Sequence, residues 1–328
     1  MQNSTKPSIG LALSGGSARS IAHIGVLEVL RENNIQIEFI TACSSGTLAA
    51  AAYACGTMEE LKDLWMKKGG SKLLLDLVKF EGDQGIFSTE KFVLWFRQYT
   101  HGMKFEDVNP HLGFVCVDLK NAETVVIALG DIVKGVQASC ALPGLLEPVE
   151  WGNRTLVDGG LFSVIPAQEA RDMGADIVIG VDIAATRHVI RKRYLRVWRG
   201  YNFFKQSNPV KFVGKIYGIL DKVFEKSIKI IFYNQSDFFE TEPQKSTDFI
   251  ANYLRAMELV VNRQKNGPEV PPADMMISPN VKHMGKIDFE NSKQIYEEGR
   301  RVAIDAIPDI KSLIKDYNWR HKTENGRK

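Results

Sequence analysis

Between residues 8 and 54 the chain alternates short apolar runs with glycine- or serine-bearing turns and helical patterns, and this alternation restricts the fold more than any other feature. Residues 8–13, SIGLAL, read as a short buried strand, and a glycine-containing loop follows at Ser14–Ser20. Apolar residues then recur at helical spacing at Ile21, Ile24, Val26, Leu27 and Leu30. Ile35–Ala42 reads as a second strand, and Cys43–Gly46 turns directly into an alanine-rich helix, Thr47–Ala54. Strands that alternate with helices pair in parallel and are covered by those helices. The predicted fold is therefore α/β, with a mostly parallel central sheet flanked by helices.

Downstream, Leu112–Val117, Thr124–Leu129, Thr155–Val157, Ile177–Ile183 and Met275–Ile277 read as further strands. Residues 60–100 look mainly helical, a helical stretch is expected around Thr247–Val261, and an amphipathic helix over Ser292–Ile307 closes the fold. The 328 residues suit a single large domain over 1–328. Within it, 7–185 would be the α/β core, 186–272 a basic aromatic helical region, and 273–328 a strand and helix packing back on the core.

The composition, 44% hydrophobic and 25% charged, is that of a soluble globular protein. No apolar run approaches the roughly 18 residues of a spanning helix. Met1–Pro7 is polar and shows no secretory signal, so a cytoplasmic location is expected, with peripheral attachment to the inner face of a membrane. Cys43, Cys55, Cys116 and Cys140 match neither a disulfide framework nor a metal-ligand spacing. They read as reduced thiols, and neither metal nor cofactor is expected.

Three motifs carry chemistry. Ala42-Cys43-Ser44-Ser45-Gly46 lies between a strand and a helix, where a serine on a sharp turn projects its hydroxyl from the sheet edge. With Ser44 central the flanks are Ala42 and Gly46, both small; with Ser45 central they are Cys43 and Thr47, which suit a tight turn poorly. Gly15-Gly16-Ser17-Ala18-Arg19 opens a helix after the first strand, so its amides can stabilise negative charge. Such a loop serves either as a dinucleotide phosphate cradle or as an oxyanion hole. The first wants an acidic residue ending strand two, which here ends in Thr41-Ala42; the second wants a nearby nucleophile, which Ser44 supplies. Asp158-Gly159-Gly160 follows a strand. On its own it reads as a turn, and within reach of a serine it reads as a base. Of the six histidines only His23 lies near a motif, and it reads as a packed helical residue.

In this order the three motifs resemble those of the patatin-like phospholipase family. Residues 10–27 (GLALSGGSARSIAHIGVL), 138–149 (ASCALPGLLEPV) and 174–183 (GADIVIGVDI) are similar to the family's opening segment, the stretch before its Asp motif and the strand after it. The resemblance implies a three-layer α/β/α fold and a Ser–Asp dyad that hydrolyses lipid acyl esters without calcium. Ser44 would be the nucleophile, Asp158 its base, and the amides of the Gly15–Arg19 loop the oxyanion hole, with Arg19 matching the family's basic loop residue. Ser17, Ser20 and Ala42 stand where the family usually has glycine. These departures keep open a catalytically weak lipid-binding or regulatory protein on the same fold.

The whole-chain charge of +3 hides an asymmetry: residues 187–230 hold twelve Lys or Arg against Asp221 and Glu225 alone. On a helical wheel, Lys211, Lys215, Lys222, Lys226 and Lys229 fall in an arc of about 60°, opposite Val213, Ile216, Leu220 and Phe224. Trp198 and neighbouring aromatics precede this helix. Lys and Arg among aromatics suit the headgroup zone of an anionic membrane. Two other readings stay open: an amphipathic helix packed on the core with its lysines in water, and nucleic-acid binding, for which no module is recognisable. The expected partners are thus a phospholipid or other lipid ester and an anionic membrane surface, with no nucleic acid; oligomeric state is not legible.

Overall fold

The computed structural model describes residues 6–66, 89–143, 146–184, 273–281, 283–284 and 291–325. Eight strands form one sheet: β1 (Ile9–Leu13), β2 (Phe39–Cys43), β3 (His111–Asp118), β4 (Glu123–Ile127), β5 (Val149–Trp151), β6 (Arg154–Asp158), β7 (Ile177–Val181) and β8 (Met275–Ile277). The order is β5-β6-β3-β2-β1-β7-β8, with β4 also on β3. From β3 through β8 every pairing is parallel; β4, β5 and β6 pair antiparallel.

The strand period of two sorts β1 by size. Ile9, Leu11 and Leu13 join the main core, under α1 (Ile21–Glu32), α2 (Gly46–Ala54), the helical residues 58–66 labelled α3, α4 (Thr89–Thr100) and α5 (Ile132–Cys140). Gly10 and Ala12 face the other side, where a Cβ at Gly10 would stand 3.2 Å from the Ala170 Cβ of α6 (Ala167–Asp172) and 2.6 Å from the Ala175 Cβ just after it. Helices thus cover both faces, giving the three-layer α/β/α arrangement.

The last helix, α7 (Ser292–Asn325), packs across α1. The crossing is close because both helices present glycine there. A Cβ on Gly299 would stand 2.2 Å from the Ala22 carbonyl oxygen, and one on Gly25 would stand 2.5 Å from that of Tyr296. Beside it, buried Glu28 accepts from Lys62 Nζ (2.7 Å), Arg300 Nη1 (3.0 Å) and the Tyr296 hydroxyl, which ties α1, α3 and α7 together.

Three sequence expectations change. The strand read from Ile35 begins at Phe39, because Ile35 and Ile37 are buried in the connection before it. The strand read to Leu129 ends at Ile127, and Leu129 is exposed beside the Gly130 turn. The helix read to Ile307 passes through Pro308 to Asn325: proline removes one helical hydrogen bond, but Ala303, Ala306, Ile307 and Ile310 are buried on either side and hold the helix to the core. The stretches 67–88 and 186–272, including the helix expected at 247–261, lie outside the described residues. Among the described residues no helix is long and apolar enough to cross a membrane.

Candidate active site

Two residues, Ser44 and Ser45, separate the end of β2 from the start of α2. Ser44 takes the left-handed conformation with φ +51°, which costs a non-glycine residue about 1–2 kcal/mol. Its peptide is held on both sides. The N–H donates to Ser139 Oγ (2.9 Å), and the carbonyl accepts from the Thr47 amide (2.9 Å) and hydroxyl (2.6 Å). Ser45 sits differently: it is buried, and its hydroxyl accepts the Gly16 N–H at 3.0 Å. The tight contact in this turn is at Gly46, where a Cβ would stand 2.7 Å from the Ser14 carbonyl oxygen. Ala42 is instead fully buried in β2 between Leu13 and Phe114, so its methyl joins the core.

The glycine loop lies against the serine. A Cβ at Gly15 would stand 2.9 Å from the Ser44 Cβ and 3.6 Å from its Oγ. Gly16 is extended; Ser17 is exposed and left-handed, with φ +56°, so the usual glycine position is one that a serine occupies at a cost of order 1 kcal/mol. Ser17–Ser20 form a short 3₁₀ turn that places the amides of Ser17 and Ala18 at its head, while the Arg19 amide bonds back to the Gly16 carbonyl. The Ser20 hydroxyl closes the turn on the Ser17 carbonyl at 2.8 Å. Arg19 is buried, and its Nε (3.1 Å) and Nη2 donate to the Met284 carbonyl, anchoring the loop to the C-terminal part of the chain.

His23, also buried, lies 2.8 Å through Nε2 from the Ser14 carbonyl. A carbonyl only accepts, which assigns the proton to Nε2. Burial pushes this imidazole down to about 4, so at neutral pH it is an uncharged clamp on the residue before Gly15.

Asp158 ends β6, buried, and its register explains its position. β2 pairs β3 up to Cys43 opposite Val115; β6, running the other way, pairs β3 up to Asp158 opposite Cys116. Since β4 occupies Phe114–Asp118 on one edge of β3 and each strand residue has two edges, β2 and β6 share the other edge and meet end to end. The Cys43 thiol reaches Asp158 Oδ1 at 3.9 Å, so Ser44 is one residue from the carboxylate. Oδ1 also accepts the Gly160 N–H (2.7 Å), and the Asp158 N–H donates to the Ala141 carbonyl (3.0 Å). Gly159 is required by contact: a Cβ there would stand 2.2 Å from the Val115 carbonyl oxygen.

Three of the four cysteines, Cys43, Cys116 and Cys140, surround this carboxylate. Burial first, then the Asp158 charge, pushes all three thiols up. They remain protonated thiols at neutral pH. Among the described residues no group of His, Cys, Asp or Glu could hold a metal ion.

The structure thus gathers Gly15, Gly16, Ser44 and Asp158 at one end of the sheet. Trp198, Lys215, Lys222 and Lys226 lie outside the described residues. Sequence reasoning passed over Ser139 and Thr47, which hold the Ser44 peptide. Ser139 stood inside the quoted ASCALP stretch, but nothing in a single sequence says which way its hydroxyl points.

Residues 11–171 match the model of the patatin-like phospholipase family. An uncharacterized NTE family protein of Mycobacterium tuberculosis is 30% identical over 184 residues, 56% of this chain and 51% of that one. A second from that species is 27% identical over 321 residues, 92% of this chain and 47% of that one. Lysophospholipase NTE1 of Cryptococcus neoformans var. neoformans is 31% identical over 219 residues, 61% of this chain and 13% of that one. The chain spans about half the length of the mycobacterial relatives it matches, and far less of the fungal one. The matched segment runs from within β1 through most of α6 and takes in the serine turn, the glycine loop and the Asp-Gly-Gly turn; over this segment the chain is similar to the patatin-like phospholipase family.

Proposed function

We propose that the chain is a serine acyl hydrolase cleaving carboxylic esters of phospholipids or lysophospholipids, with Ser44 as nucleophile and Asp158 as base. The observation that carries this reading is the end-to-end meeting of β2 and β6 on β3, which sets the Asp158 carboxylate beside the Ser44 turn while Gly15 packs against that serine.

In the first step Asp158 takes the Ser44 hydroxyl proton as Oγ attacks the ester carbonyl. The charge on the former carbonyl oxygen falls to the loop amides, chiefly those of Ser17 and Ala18 at the head of the 3₁₀ turn. The tetrahedral adduct collapses, the C–O bond to the alcohol breaks, and the leaving alcohol takes the proton from Asp158. Water then attacks the acyl-enzyme, Asp158 accepting its proton, and the second collapse returns that proton to Ser44 and releases the fatty acid. Arg19 and His23 anchor the loop in this scheme and do not touch substrate. The strongly basic segment 187–230 would bring the site to an anionic membrane surface.

A second reading, a catalytically weak lipid-binding protein on the same fold, draws on the Gly16 amide, which donates to Ser45 Oγ rather than facing open space. One experiment separates the two. Fatty-acid release is measured from anionic and from neutral phospholipid vesicles for wild type, Ser44→Ala and Asp158→Asn. We expect losses of roughly 10²–10⁴-fold in each variant, with faster turnover on anionic vesicles. Equal release from both variants and wild type sinks the dyad; no wild-type release and no fluorophosphonate adduct on Ser44 supports the second reading.

A further inference from the structure

We propose that Ser139 is the positioning residue of the dyad: its hydroxyl holds the Ser44 turn in its left-handed conformation and locks that turn to the strand edge where Asp158 ends. The inference rests on the reading of Ser44 and Asp158 given above.

Three consecutive residues at the end of α5 bind both halves of the site. Ser139 Oγ accepts the Ser44 N–H at 2.9 Å and donates to the Val115 carbonyl at 2.7 Å. Cys140 Sγ lies 3.7 Å from the Thr47 hydroxyl, which itself donates to the Ser44 carbonyl. The Ala141 carbonyl accepts the Asp158 N–H at 3.0 Å. Val115 is the β3 residue opposite Cys43, and its neighbour Cys116 is opposite Asp158. A single fully buried hydroxyl therefore links the nucleophile's amide to the point on β3 where the two catalytic strands meet.

This bond does more than fill space. A left-handed serine has an extended or right-handed alternative, and only what grips its peptide decides between them. The amide of Ser44 falls outside the ladder, because β2 ends at Cys43, and outside the helix, which begins at Gly46. Ser139 supplies the acceptor that regular structure does not. This half-buried amide, left without it, would seek another partner by rotating the turn, and Oγ would rotate with it, away from Asp158. Displacement of a reacting atom by about 1 Å can cost on the order of 10²-fold in rate. Ser139 does not reach the substrate in this scheme; it acts only through Ser44.

The test compares Ser139→Ala and Ser139→Thr with wild type in the full chain, with Ser44→Ala as the reference for loss of the nucleophile. Removing the hydroxyl is expected to lower kcat for ester hydrolysis at least tenfold with KM within twofold, and to slow fluorophosphonate labelling of Ser44 by the same factor. Ser139→Thr, which keeps the hydroxyl, is expected to recover most of both rates. Amide hydrogen exchange at Ser44 should be at least tenfold faster in Ser139→Ala than in wild type, a readout that needs no substrate and stays available should Ser139→Ala fold only at low temperature. The proposal is overturned by a Ser139→Ala kcat and labelling rate within twofold of wild type, by a loss confined to KM, or by unchanged exchange at Ser44. If Ser44→Ala itself hydrolyses as fast as wild type, the dyad reading fails, and the exchange data alone decide whether Ser139 holds the turn.

Discussion

Cys43 and Asp158 stand at adjacent positions along one edge of β3, the first opposite Val115 and the second opposite Cys116, on strands that arrive from opposite directions. Residues separated by more than a hundred positions in sequence are thereby placed with side chains 3.9 Å apart, and the turn that follows each strand opens at the same spot.

That junction leaves no room at Gly159. A methyl group there would enter the Val115 backbone, which cannot move without breaking β3 from its neighbours. Gly159→Ala is expected to destabilise the protein by about 3 kcal/mol, the upper end of overpacking costs. Chemical unfolding of the purified variant checks this; a midpoint equal to that of wild type would show that the contact relaxes.

His23 predicts a pH dependence. Its folded value lies near 4, below the ordinary 6.5, because burial disfavours the imidazolium. The unfolded chain therefore takes up this proton first as pH falls. The contribution of neutral His23 is complete above pH 6.5, is lost progressively below it, and levels off near pH 4. The full loss is about 3 kcal/mol. His23→Gln keeps a donor for the Ser14 carbonyl and has no proton to gain, so its stability curve between these pH values should be flatter. Parallel curves for the two proteins would rule the group out.

The α1–α7 crossing makes a third case. Glu28 is nearly fully buried, whereas Lys62 and Arg300 keep side-chain exposures of 20% and 23%. Solvent screens those partners, so Glu28→Gln should cost about 2 kcal/mol, less than the roughly 3–5 kcal/mol of breaking a fully buried pair. Gly299→Ala drives a methyl into the Ala22 carbonyl and should cost a similar amount. In both variants the C-terminal helix should become the first site of limited proteolysis. A wild-type cleavage pattern in both would mean that other contacts hold it.

Local pattern carried most of the α/β order. β1, α1, α2 and β7 begin or end within a residue or two of where apolar spacing places them, because each buries a face whose period is written in consecutive residues. Strand and helix ends set by long-range partners were less legible. Ile35 is apolar but lies before the strand, and Pro308 looks like a stop but sits inside a helix held by burial on both sides. β5, α5 and α6 are three, nine and six residues long, and the sequence reading did not find them.

The sequence by itself determined the residue types at the candidate site: a serine on a strand–helix turn, a glycine loop and an Asp-Gly-Gly, each a local motif whose chemistry follows from a few neighbours. Only the tertiary structure decided how they relate. It made Ser44 and not Ser45 the left-handed residue, directed Arg19 to the Met284 carbonyl, and brought the Ser139 hydroxyl to the Ser44 amide. The reason is physical: strand register on β3 and the buried hydrogen bonds that follow from it join residues far apart in the chain, and no periodicity along the sequence encodes which edge a distant strand will take.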